Sequence, residues 1–117
     1  MLNSSASGSS VAKDWLRALE QTAQIDAYPD RTLPRVIAAL ADTATGVAFS
    51  IHEGQPVASA TVDLDIKFIK SAKHGTLVAR PKVLRRGNRL GFVECEIRDD
   101  EDNLIAKASG TFAILNA

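Results

Sequence analysis

The sequence is poor in several things, and each scarcity narrows the choices. Its 117 residues hold one cysteine, one methionine, one tryptophan and one tyrosine, and aromatics make up only 5%. A single cysteine excludes an internal disulfide framework; Cys95 lies in an apolar alternation and reads as a small core residue of a reducing compartment. No apolar run is long enough to span a bilayer, and the opening residues MLNSSASGSS lack the apolar stretch of a signal peptide. Residues 1–10 therefore read as a disordered tail, residues 11–117 as one domain, and the setting as cytoplasmic. The formal net charge is zero, so although Arg80–Arg86 is locally basic there is no broad cationic face for nucleic acid. His52 and His74 fall in separate turns with no partner at ligand spacing, which argues against a metal site.

What is present is two kinds of periodicity. In VAKDWLRALEQTAQID, Val11, Trp15, Leu19 and Ala23 recur every four residues, the stripe of a helix capped by Ser9 or Ser10 and ending before Tyr28-Pro29-Asp30. A second helix begins near Pro34, where a missing N–H is tolerated. In RTLPRVIAALADTATG and its continuation, Val36, Ile37, Leu40, Ala41, Ala44, Val47, Ala48 and Ile51 form one broad face. The other side is also small or apolar, with Ala38, Ala39, Gly46 and Phe49, and only Arg35 and Asp42 are charged. A helix apolar nearly all round is covered on both sides, which in so short a chain points to another subunit.

After His52-Glu53-Gly54 the period changes to two. Ala58, Ala60, Val62, Leu64, Ile66 and Phe68 alternate with Ser59, Thr61, Asp63, Asp65 and Lys67, predicting a long strand with one covered face. TLVARPKVLRR, LGFVECEIRD and LIAKASGTFAIL follow as strands. Arg86-Gly87-Asn88 closes a hairpin, and Gly110 marks a bulge or a close approach. Pro81 cannot donate to a ladder, so its strand is expected at a sheet edge, protected by Arg80, Lys82, Arg85 and Arg86. Pattern alone gives an α+β chain, one antiparallel sheet wrapped on a hydrophobic helix.

The order of ALADTATG, SATVDLDIKFIKSAKHGTL, VLRRGNRLGFVECEIRD and KASGTFAIL resembles the hotdog fold, and more narrowly the phenylacetate-degradation type (PaaI-like) of acyl-CoA thioesterase, over roughly residues 36–115. The resemblance implies a homodimer or a tetramer of dimers, with sites at the subunit interface. It implies hydrolysis of an acyl-CoA or acyl-carrier thioester without metal or other cofactor. It matches Asp42 to the family's helix acid, base or nucleophile, and Thr61 to a hydroxyl assisting from the other subunit. A carboxylate in a dry interface is well placed to activate water.

Two departures stand out. The family's His-Gly-Gly, whose backbone N–H stabilises the oxyanion, is replaced by Leu33-Pro34-Arg35. Pro34 has no N–H, so the donor would have to be that of Arg35. Residues 11–33 read as helix and turn, so the family's first strand is expected to be missing or replaced by a helix. Arg80, Arg85, Arg86 and Asn88 are candidates for the CoA phosphates, since arginine forks suit phosphate, and also read as edge and hairpin solubility. Pro34 and Gly46 are expected to border the bound substrate. The competing expectation is a hotdog protein that binds an acyl-CoA or a protein partner without catalysis.

Overall fold

The computed structural model describes residues 20–24, 33–72 and 75–115. Residues 1–10 and the helix start proposed at Ser9–Ser10 lie outside them, as does His74. The described chain runs as strand β1 (Gln21–Gln24), helix α1 (Leu33–Ser50), a short 3₁₀ turn (His52–Gly54), and strands β2 (Ser59–Phe68), β3 (Thr76–Arg86), β4 (Leu90–Arg98) and β5 (Leu104–Ile114). The strands form one antiparallel five-stranded sheet in the order β1-β3-β4-β5-β2. Among the described residues no helix is long and apolar enough to cross a membrane.

Helix α1 lies on one face of this sheet. Ile37, Leu40, Ala41 and Ala44 pack against Leu77, Ala79, Cys95, Ile97, Ala106 and Ala108. The alanines on both partners let helix and sheet backbones approach closely, which suits a core with few aromatics. Toward the helix end the packing changes: Phe49 stacks on Phe112, ring centres 5.2 Å apart, over Val93. Gly91 lies directly under Phe49, where any Cβ would overlap the ring and the Arg85 carbonyl. Gly110 is a close approach, as expected from sequence: a Cβ there would stand 2.9 Å from the Phe112 ring and 3.2 Å from Leu64.

Three expectations need correction. The first strand is present. Gln21–Gln24, read as the end of a helix, pairs with Thr76–Ala79 of β3, and Ala23 packs against the core. The four-residue recurrence that placed Ala23 on a helical stripe is overridden by tertiary pairing at a waiting strand. Consequently β3 is not an edge along Thr76–Ala79; Pro81 lies just past the register of β1, where its missing N–H costs no ladder bond to that strand. Third, the helix is rotated from the expected face. Phe49 is fully buried and Val47 is 38% exposed, because the sheet offers Phe112 as a stacking partner and solvent takes the smaller side chain.

Among the described residues the sheet ends in the short β1 on one side and the long β2 on the other, and the long free edge is that of β2. It pairs with β5 and, among the described residues, with nothing on its other side, and it carries exposed Val62 and Phe68. The register slips between Thr61 and Asp63, so Val62 is an inserted bulge residue.

Candidate active site

The bulge at Val62 decides what the start of β2 can do. Without it, Ser59 and Thr61 would share the outer face with Asp63 and Asp65, as strict alternation places them. The extra residue reverses the phase. Leu64 and Ile66 pack into the core under α1, and so, ahead of the bulge, do the partners of the inner row: Thr61 stands opposite Phe112, which is buried. Thr61 is thereby turned to the helix side.

On the helix, Asp42, Thr43, Gly46, Val47 and Ser50 are spaced by one, three and four residues and therefore occupy one face. With Ile51, Ser59, Thr61 and Phe112 they line an open groove of about 420 Å³ between α1 and the start of β2. Asp42 is exposed on this face, and none of the ion pairs among the described residues involves it. Its carboxylate is left open to a ligand. At the far end Ser50 Oγ and Ser59 Oγ are 2.9 Å apart, tying helix to strand. Thr45, one turn from Asp42, donates to the Ala41 carbonyl at 2.7 Å and is fully buried.

The structure thus brings Asp42, Thr61 and Gly46 together within one chain. Arg35 and Pro34 stand elsewhere, in the first turn of α1, which holds no acidic residue. The first N–H groups of a helix have no intrahelical partner, and Pro34 has none to offer. Leu33, Pro34 and Ile37 border a second opening of about 360 Å³, closed on the other side by Phe68, Ile69, Lys70, Ser71 and Ala72 at the end of β2.

The basic candidates divide. Arg86 donates Nη1 to the carbonyls of Phe49 at 3.0 Å and Ser50 at 3.4 Å. It supplies from β3 the cation that the last turn of α1 lacks. Arg80 bonds Glu20 at 3.2 Å and Asp102 at 3.4 Å on the outer face of the sheet, away from the helix. Arg85 and Asn88 are exposed at the hairpin end. Sequence reasoning missed Ser50, Ser59, Thr43 and Phe112 as groove residues; a small helix face at positions 42, 43, 46, 47 and 50 was the available signal. Cys95 is buried, and burial, opposed by the backbone hydrogen bond from Arg80, pushes its thiol up to about 12, which suits a core residue rather than a nucleophile. Among the described residues no cluster of three metal-ligating side chains occurs.

One antiparallel sheet curled over a single helix, with a groove where the helix acid meets the first turn of the long strand, defines a hotdog protein. A family model described as the thioesterase superfamily matches residues 36–106, more than half of the chain, and the chain belongs to that family. A Halobacterium salinarum protein provisionally named an esterase is 32% identical over 87 residues, 68% of this chain and 57% of that one. The chain spans 36% of a second such archaeal relative, from Saccharolobus solfataricus. Among solved structures, the PaaI protein of the E. coli phenylacetic acid degradation operon superposes with a TM-score of 0.71 at 22% identity, covering 84% of this chain and 71% of that one. A Bacillus halodurans protein solved with CoA gives 0.75 at 23% identity, over 83% and 67%. These likenesses establish the fold.

Proposed function

We propose that the protein hydrolyses a small or medium acyl-CoA thioester, with Asp42 as base or nucleophile and Thr61 assisting. The observation that carries this reading is the shared groove: the Val62 bulge turns Thr61 toward Asp42, and an uncommitted carboxylate faces the opening. Family membership and the CoA in the similarly folded Bacillus protein support the substrate class. In this mechanism Asp42 takes a proton from water as its oxygen attacks the thioester carbonyl, or attacks directly. Thr61 orients the attacking group by a hydrogen bond. In the first route the carbon–sulfur bond breaks and the proton held by Asp42 goes to the departing CoA thiolate. In the second the thiolate is expelled and the acyl group stays on Asp42 as a mixed anhydride; the water that cleaves it restores the carboxylate and supplies the proton the thiolate takes up.

The oxyanion donor comes from a second copy. Arg35 precedes Asp42 by seven residues, about 10 Å along the helix axis, too far for both to act on one carbonyl. The free edge of β2 resolves this. If two copies join antiparallel along it, the Ser59–Thr61 end of one strand lies beside the Phe68 end of the other. The Asp42 groove of one subunit then meets the Leu33–Pro34–Arg35 opening of its partner, and the Arg35 N–H faces the carbonyl that Asp42 attacks. Arg85 and Asn88, the candidates not engaged in the fold, remain to receive the CoA phosphates. A dimer along β2 also removes a long exposed edge that invites aggregation.

Pro34 is also the observation that favours a second reading, an acyl-CoA binder without turnover. The test is thiol release from acyl-CoAs of graded length by the wild type and Pro34→Gly. A restored N–H should raise turnover by on the order of a hundredfold if the donor is what limits it. CoA binding without thiol release in either protein would establish the binding reading instead.

A further inference from the structure

The hydroxyl pair at the far end of the groove is equipped for more than tying helix to strand. Ser50 Oγ and Ser59 Oγ stand 2.9 Å apart, and either can be the donor. That bond uses one of their two protons, and neither hydroxyl has a further side-chain partner among the described residues. One hydroxyl proton and several lone pairs are therefore left for the groove, which both residues line. Both are half-buried, and their backbone is fixed. The Ser50 carbonyl accepts from the Val57 N–H at 2.8 Å and from Arg86 Nη1 at 3.4 Å, and Ser59 pairs with Ile114 in the sheet.

What such a pair accepts is narrow. An alkyl tail would bury the spare proton without an acceptor, which costs about 1–3 kcal/mol. A carboxylate could take the proton but would press its charge on the remaining lone pairs. A secondary amide satisfies both sides: its carbonyl takes the proton and its N–H reaches a lone pair. The position agrees. Ser59 precedes Thr61 by two residues, about 7 Å along the strand, and both face the helix side, Ser59 opposite Ile114 and Thr61 opposite Phe112. In a pantetheine thioester the first amide follows the sulfur after two methylene groups. A thioester carbonyl between Asp42 and Thr61 thus brings that amide to the serines. The arm then leads on toward Arg85 and Asn88 at the hairpin end, where Ile114 also donates its N–H to the Arg89 carbonyl at 2.8 Å. The acyl group is left the opposite way, toward the apolar opening that Leu33, Ile37, Phe68 and Ile69 border in the second copy.

We infer that Ser50 and Ser59 together bind the first amide of the pantetheine arm that CoA and carrier-protein thioesters share, and so hold the thioester over Asp42. This role rests on the thioesterase reading and adds to it the direction in which the substrate lies. The groove then selects for the arm as well as for the acyl group.

The test compares one acyl group on three thiols: CoA; N-acetylcysteamine, which keeps the first amide; and pentanethiol, its alkyl isostere. The wild type should prefer the N-acetylcysteamine ester to the pentanethiol ester by roughly tenfold in kcat/KM, the equivalent of one or two hydrogen bonds. The double variant Ser50→Ala/Ser59→Ala should lose that preference through KM, with kcat kept, and should turn over the pentanethiol ester as the wild type does. A merely structural tie predicts instead a lowered Tm and an equal loss on all three substrates. That result, or a preference unchanged in the double variant, would overturn the inference. A wild type that releases thiol from none of the three removes the thioesterase reading and leaves the amide receptor to be read by calorimetry with free CoA. The double variant should then bind CoA roughly tenfold more weakly than the wild type. Equal binding, or no binding by either, would overturn the receptor as well.

Discussion

Gly46→Ala separates the stability of the helix from the use of its groove face. Gly46 sits inside α1 with an ordinary helical backbone, so alanine meets no conformational penalty, and its Cβ would stand 3.9 Å from the Phe112 ring, an ordinary contact. Replacing glycine by alanine in a helix interior stabilises by about 1 kcal/mol, which for a chain of this size raises Tm by roughly 3–5 °C. The same methyl projects into the groove one turn from Asp42. Overfilling a packed contact costs about 1–3 kcal/mol, or roughly a five- to hundredfold loss in kcat/KM. The loss should grow with the width of the acyl group. Differential scanning fluorimetry and thiol release on the same preparations give both quantities. A variant with raised Tm and undiminished kcat/KM toward every acyl-CoA tested would refute the placement of substrate along this face.

Three further outcomes follow from particular contacts. Arg86→Ala strands the Phe49 and Ser50 carbonyls at the end of α1, and should lower stability by about 1–3 kcal/mol in urea unfolding; Arg86→Lys, keeping the charge, should lose less. Cys95, its thiol pushed up to about 12 by burial, should react with a thiol reagent at mildly alkaline pH only as the protein unfolds; because the folded value is the higher one, stability should fall as pH rises from about 8.5 toward that value. Asp99 accepts backbone hydrogen bonds from Asn103 and Glu101 and a side-chain bond from Asn103, which hold its carboxyl below the usual range. Its contribution is therefore full above about pH 4 and lost as pH falls through the folded value, so acid unfolding should be shallower in Asp99→Ala.

Much of this fold is legible in the residues. The α1 helix and the four long strands follow from a clean change of period, and Asp42 announces itself as a lone acid on an alanine-rich helix. What alternation misleads about is phase. Thr61 reads as a partner of Asp63 and Asp65, but one inserted residue at Val62 sends it inward, and nothing local in SATVDLD marks the insertion. The register that reveals it is set across the sheet, by the pairing of Thr61 with Phe112 and of Asp63 with Thr111. Phe49 and Val47 exchange faces for a similar reason, since the stacking partner Phe112 is 63 positions away in the chain. β1 was hidden because four residues of a strand carry too little period to outweigh the helix-like spacing before them, and its pairing partner is contributed by β3. The role of Arg86 as a cap for a helix end 36 residues earlier is likewise a tertiary fact.

The measurement that bears most directly on the central claim is thiol release from a panel of short, medium and aromatic acyl-CoAs by the wild type beside Asp42→Asn. The account expects turnover in the wild type that falls by orders of magnitude in the variant, while Tm stays the same because the Asp42 side chain is exposed. Equal turnover in the two proteins would contradict it.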